Sequence, residues 1–313
     1  MTKRTAILPM AVIPLNAGDP IPADLMSRAA DLPRGAPLIV MIHGYRYCPA
    51  SPPHDPHLGI LAPRSAPVQG GGRLRSWPQS LGLSDRGAEG LGLTFGWPAR
   101  GTLGQVYRRA AGIGEALARS LDLISAAACR PVHLIGHSLG ARVALRALEV
   151  AQPGTIGRLI LMAAAELRPE AERAVASPAG AQAEIINVTS RENDIFDFML
   201  EVTVGRGRRP ALGFGLSQPR HNWLDLQIDA AETRAALASL GFGIGADVVR
   251  ACHWSPYLRE GMFDFYRVAM GQPWALPLPL LRAHLPVRQA RRWSRLLQVP
   301  GRGGGSQSSF SSA

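Results

Sequence analysis

Val132-His-Leu-Ile-Gly136-His137-Ser138-Leu139-Gly140-Ala141 is the stretch from which the rest of the chain can be read. Its first half is a short apolar run, the pattern of a buried strand. From Leu139 to Val150 the apolar residues fall at helical spacing. Between the two, Gly136-His137-Ser138-Leu139-Gly140 fits Gly-x-Ser-x-Gly, a turn in which a strand passes sharply into a helix and holds a serine in a strained backbone conformation. Gly136 and Gly140 belong there because the turn brings the residues on either side of Ser138 too close for side chains. The turn lifts the Ser138 hydroxyl above the carboxyl edge of a sheet, and the helix N-terminus behind it favours developing negative charge. Five residues are a weak motif alone, and the flanking strand and helix supply the confirming context. The bland alternative is an ordinary strand-to-helix turn with a capping serine.

Outward from this turn, short buried strands are expected at Ala11–Leu15, Pro37–Ile42, Leu91–Phe95, Val132–Ile135, Leu159–Met162, Ile185–Val188 and Ala246–Val249. Helices are expected at Ala23–Leu32, Leu103–Ala128, Leu139–Val150, Pro169–Ala176, Ala230–Leu240 and Gly261–Met270. Alternation of this kind means an α/β fold with a mostly parallel sheet covered by helices on both faces. The organisation read from the pattern is an N-terminal strand and helix over 1–35, a catalytic domain over 36–271 and a basic, partly disordered tail over 272–313. Within the domain, 48–90 is a Pro- and Gly-rich irregular excursion, too long for a plain connection.

Composition sets the limits. The 313 residues are 46% hydrophobic and 18% charged, a globular balance, with no apolar run long enough to span a bilayer. No secretion signal is read at the N-terminus. Three cysteines, Cys48, Cys129 and Cys252, form neither a disulfide scaffold nor a CxxC metal site, so a cytoplasmic setting is expected. The net charge of +11 raises nucleic-acid binding, but residues 272–313 alone hold six arginines and no acid, more than half of the excess. No nucleic-acid motif accompanies it, and none is expected as a partner.

A second stretch points the same way as the first. Pro37-Leu-Ile-Val-Met-Ile42-His43-Gly44-Tyr45 is a buried strand ending where an oxyanion loop belongs. The N–H groups of Tyr45 and Leu139 are the expected pair of oxyanion donors, Gly44 allows close approach, and His43 reads as structural. With these residues, Phe95-Gly-Trp97-Pro98, Glu192-Asn-Asp194 and Cys252-His253-Trp-Ser, the chain over residues 36 to 270 resembles the α/β-hydrolase superfamily. Within it the chain is similar to a bacterial group of esterase- and lipase-like serine hydrolases. The resemblance implies a hydrolase of esters or thioesters with triad members in the order Ser, Asp, His.

An acid should follow a late strand. Asp194, in the loop after Ile185–Val188, is the expected one, with Asp197 and Glu192 as runners-up and Glu166 as a rarer alternative. The base should follow the last strand, and His253, directly after Ala246–Arg250, is preferred to His221. His137 and Trp97 are candidates for the substrate pocket, although Trp97 reads equally well as core. His54-Asp55-Pro56-His57 invites a metal reading, but no further ligand supports it, so neither metal nor cofactor is expected. The expected partner is a small ester or acyl compound, against the rival of a catalytically silent binding protein on the same scaffold. Pro286–Val299 places Arg288, Arg291, Arg292 and Arg295 on one arc of a helical wheel. That pattern offers a weak contact with an anionic membrane, which would make the protein a membrane-surface lipase or acyltransferase, but a terminal helix docked on the domain or left disordered is the preferred reading.

Overall fold

The continuous apolar runs form a sheet because both of its faces are buried. The computed structural model describes residues 11–67, 73–83, 90–246, 250–287 and 289–297. Its central strands are β1 (Val12–Asn16), β2 (Leu38–Ile42), β3 (Leu91–Gly96), β4 (Val132–His137), β5 (Ile156–Met162), β6 (Glu184–Thr189) and β7 (Trp223–Gln227). They pair in the order β1-β3-β2-β4-β5-β6-β7, and every pairing is parallel. The helices are α1 (Ala23–Ala30), α2 (Trp77–Ser80), α3 (Leu103–Ala128), α4 (Leu139–Val150), α5 (Arg168–Ala176), α6 (Asp194–Thr203), α7 (Ala231–Ser239), α8 (Ser255–Leu258), α9 (Met262–Gly271) and α10 (Leu278–His284).

Successive strand residues serve opposite faces. Leu38, Val40, Leu134, Leu159 and Leu161 belong to a core shared with Leu25 of α1, Val106 and Leu117 of α3, Val143 of α4 and Ala171 of α5. Ile39, Met41, Ile135, Ile160 and Met162 belong to a second core with Trp77 of α2, Leu237 of α7, Phe265 of α9 and Leu281 of α10. Each buried Val, Leu, Ile, Met or Phe side chain among these contributes about 1.5–3 kcal/mol relative to exposure. Strand β4 sits in the middle of the sheet with neighbours on both sides, so the turn at its carboxyl end is anchored to firmly held backbone. Among the described residues no helix is long and apolar enough to cross a membrane.

One strand is not among those expected from the sequence, and one expected strand lies outside the described residues. β7 is hidden from a periodicity reading because Asp225 lies in mid-strand; its carboxylate accepts from Nδ2 of Asn187 on β6 (2.8 Å) and from Nε1 of Trp223 (2.9 Å). The strand expected at Ala246–Val249 falls on residues 247–249, outside the described residues. β7 is the last strand among the described residues, and α7 comes after it before His253 is reached.

The described start of the tail packs on the domain. Leu278, Leu281 and Leu285 are buried in the second core, and the described part of 286–299 consists of turns rather than a helix. Arg292 pairs with Glu201 (2.8 Å) and Arg295 with Asp229 (2.9 Å). Two of the four arginines required by an anionic surface are thus engaged with the protein's own carboxylates.

Candidate active site

Ser138 stands between β4 and α4 at φ 56°, ψ −123°, a positive-φ conformation that a non-glycine residue adopts only where its surroundings enforce it. The enforcement is visible: its N–H donates to Met162 O (2.9 Å), and its C=O accepts from the N–H groups of Ala141 (3.1 Å) and Ala165 (3.0 Å). The neighbouring glycines carry the close packing. A Cβ on Gly140 would lie 2.3 Å from the Ile42 carbonyl oxygen and 2.5 Å from that of His43, and one on Gly136 would meet the Gly140 backbone at 2.7 Å. Gly140→Ala is expected to lower unfolding stability by about 1–3 kcal/mol, the usual range for overpacking, because the opposing atoms are backbone. Chemical denaturation checks this.

The β2 end runs beside the same turn. A Cβ on Gly44 would lie 2.9 Å from both the His137 carbonyl oxygen and Ser138 Cβ, so only glycine fits against the serine. His43 is structural: Nε2 accepts from the Trp97 N–H (3.0 Å) and Nδ1 donates to Gly44 O (2.8 Å). Burial pushes its pKa down to about 3. Trp97 donates from Nε1 to His43 O (3.0 Å), stacks on the His43 ring and is wholly buried. The pocket role considered for Trp97 is therefore corrected to a core role, since these bonds turn the indole inward. Tyr45 does line the cavity over Ser138. Among the described residues, no backbone acceptor takes the N–H of Tyr45 or of Leu139.

His253 and Ser138 line that same cavity. The cavity measures about 690 Å³, within the range of small-molecule sites. Its walls are largely apolar, with Leu103, Phe196, Met199, Leu200, Trp254 and Tyr257 around Ser138, His137 and His253. Phe196 stacks on the His253 ring with centroids 4.7 Å apart. Burial, with a smaller contribution from His137, holds the His253 pKa well below 6.5. The ring is neutral at pH 7, as a general base must be. His137 lines the cavity; burial lowers its pKa to about 4, so it too is neutral, and its Nε2 donates to the His253 carbonyl (2.9 Å).

The partner of His253 is Asn193. Oδ1 of Asn193 lies 2.6 Å from Nδ1 of His253. Asp194, the acid expected there, instead accepts from the Trp293 N–H (2.6 Å) and pairs with Arg191 (3.3 Å). The reason is local geometry. Residues Arg191–Asn193 form a single 3-10 turn that runs straight into α6, and in such a turn consecutive side chains point roughly 120° apart. Only one of three adjacent polar residues can face the imidazole. Glu192 faces the chain on the far side, where it accepts from Ser255 Oγ and pairs with Arg259 (2.6 Å), while its C=O accepts from the Cys252 N–H. Those contacts tie the His253 loop to the end of β6. Sequence reasoning missed Asn193 because the segment offers three polar side chains in a row and no signal for which one turns inward.

The remaining candidates lie elsewhere. Glu166 is buried against Arg142, Tyr107 and the Leu167 N–H beneath the elbow helix. His221 is exposed on a turn. His57 spends its two ring nitrogens on Thr94 Oγ1 and Asn16 Oδ1, whereas His54 lines the cavity. Among the described residues no group of three His, Cys, Asp or Glu side chains is arranged to hold a metal ion.

A parallel sheet clad by helices on both faces, with its central strand ending in a strained serine elbow, is the α/β-hydrolase fold. Among solved structures the chain is similar to lipase B of Aspergillus fumigatus, at 15% identity and a TM-score of 0.43, over 86% of this chain and 61% of that one. It is also similar to a YdeN-like hydrolase of Pectobacterium atrosepticum (15% identity, TM-score 0.30, 65% of this chain and 82% of that one). A third is a thioesterase of the prodiginine biosynthetic pathway in Streptomyces coelicolor (15% identity, TM-score 0.26, 55% and 78%). No family model and no curated protein matches the chain.

Proposed function

We propose that this protein is a serine hydrolase that cleaves a carboxylic ester or related acyl compound. The observation that carries the reading is the strained Ser138 in one cavity with a neutral His253 whose Nδ1 is held by Asn193. His253 takes the Ser138 proton on Nε2, the freed oxygen attacks the acyl carbonyl, and the N–H groups of Tyr45 and Leu139 receive the oxyanion. Collapse expels the alcohol, protonated by His253, and a water activated by the same imidazole releases the acid. The apolar walls favour a substrate whose acyl or alcohol part is hydrocarbon-like.

Labelling with a fluorophosphonate followed by peptide mapping tests this directly. Modification at Ser138, together with hydrolysis of p-nitrophenyl esters, is the expected result. Absence of both would leave the catalytically silent scaffold as the reading.

The acid assignment has its own test. Asp194→Asn is expected to cost about 1.5–3 kcal/mol of stability through its buried contacts with Arg191 and Trp293. It should not show the roughly 10⁴-fold fall in kcat that a misdirected catalytic histidine produces. Asn193→Ala should lose most of its kcat instead, and an opposite ranking of the two variants in steady-state kinetics would return Asp194 to the triad.

A further inference from the structure

A carboxamide is an ambiguous partner for a histidine, because Oδ1 accepts and Nδ2 donates while the two ends share one shape. With Oδ1 on Nδ1, the imidazole carries its proton at Nδ1 and keeps the Nε2 lone pair for a serine. With Nδ2 on Nδ1 the proton sits on Nε2, and the base is lost. Asparagine in the acid position of a serine protease costs about 10⁴-fold in kcat for this reason.

Here Oδ1 of Asn193 faces His253, and Nδ2 of Asn193 donates to Oδ1 of Asp197 at 3.0 Å. Asp197 sits one turn further along α6 and is buried. An ionised carboxylate can only accept, so it faces only the NH₂ end of the amide. We propose that Asp197 is a positioning residue that sets the tautomer of His253 through Asn193, doing the work of a triad acid without touching the imidazole. The proposal rests on the reading of Ser138 and His253 as nucleophile and base.

The surroundings of Asp197 support it. Its Oδ2 has no hydrogen-bond partner among the described residues, and Gly213 leaves room beside it, where a Cβ would fall 1.9 Å from that oxygen. Burial raises the Asp197 pKa to about 7; Arg191 from the preceding turn and Arg292 from the C-terminal segment pull it down, and Asp194 and Glu201 of α6 push it up. Above this pH the carboxylate is acceptor-only. Below it, the carboxyl proton is free to be donated to Oδ1 of a flipped Asn193, which then turns Nδ2 toward His253. His253 itself stays neutral over this interval, since burial and His137 hold its pKa well below 6.5.

Nitrogen-15 NMR of the histidine-labelled, unmodified protein reads the tautomer directly. The expected result is Nδ1–H on His253 at alkaline pH, giving way to Nε2–H through about pH 7 without ring protonation, in step with kcat for p-nitrophenyl ester hydrolysis. Nδ1–H retained until the ring takes its second proton would overturn the proposal. Asp197→Asn is expected to lower kcat by roughly 10²- to 10⁴-fold, with KM within about twofold and the inflection near pH 7 abolished. The double variant N193D/D197N keeps the charge and the shape but places the carboxylate on Nδ1 itself; kcat should return to within about tenfold of the unmodified protein. A folded double variant as slow as D197N, or D197N with unchanged kcat and tautomer, would reduce Asp197 to a structural role. Should D197N not fold, the NMR titration of the unmodified protein decides alone. Fluorophosphonate labelling of the unmodified protein separates the two levels: no modification of Ser138 removes the hydrolase reading itself, while normal labelling with an indifferent Asp197 removes only this proposal.

Discussion

Ser138→Ala is expected to give a folded protein without measurable ester hydrolysis or fluorophosphonate labelling. The fold should survive because alanine retains the serine Cβ, so the backbone strain at φ 56° is unchanged, and the Ser138 hydroxyl makes no capping bond to α4 that would be lost. What disappears is the hydroxyl that the elbow presents to the cavity. In a well-studied serine protease, removing the nucleophile lowers kcat by about 2 × 10⁶-fold, leaving the contribution of the oxyanion donors and substrate binding. Thermal unfolding within about 1 kcal/mol of the unmodified protein would exclude a trivial loss of structure. Full turnover by a folded Ser138→Ala protein would end the mechanism.

His253→Ala should be nearly as damaging, on the order of 10⁶-fold in kcat, because nucleophile and base act as one unit and their losses do not add. The backbone contacts that hold this loop, from Cys252 N–H to Glu192 O and from His137 Nε2 to His253 O, do not involve the His253 imidazole and should remain. That ring stacks on Phe196 at the edge of an open cavity, so truncation widens the cavity rather than creating a sealed void. Single-turnover kinetics with an activated ester measure the loss in acylation itself. If activity persists, the base must be one of the other cavity imidazoles, His137 or His54. His137 is a poor substitute, since its Nε2 proton is already committed to the His253 carbonyl. A persistent rate in His253→Ala that vanished on adding His54→Ala would reassign the role.

The behaviour of neighbouring residues explains why some roles are legible and others are not. Gly44, Gly136 and Gly140 are readable in sequence because the elbow demands glycine for a local reason, and the structure supplies the atoms that a Cβ would strike. Trp97 is not, because a tryptophan at a strand end suits a pocket or a core equally well. The choice is made by His43, far away in the chain, whose ring accepts from the Trp97 backbone N–H and whose carbonyl accepts from the indole. β7 escapes notice because its mid-strand aspartate violates apolar patterning until Asn187 of the neighbouring strand is placed opposite it.

Legible in the chain alone are the alternation of strands and helices, the parallel sheet, the elbow at Ser138 and the histidine proposed to serve it. These depend on apolar periodicity and on steric demands within a few residues of chain, both of which are local. Long-range packing sets which member of Glu192-Asn193-Asp194 faces His253, and brings the C-terminal segment to Asp194, Glu201 and Asp229. Both outcomes depend on how a helical turn is rotated about its axis. That rotation is fixed by Arg259, Ser255 and Trp293, distant in the chain, together with Arg191 of the turn itself, and no local pattern in the chain encodes it.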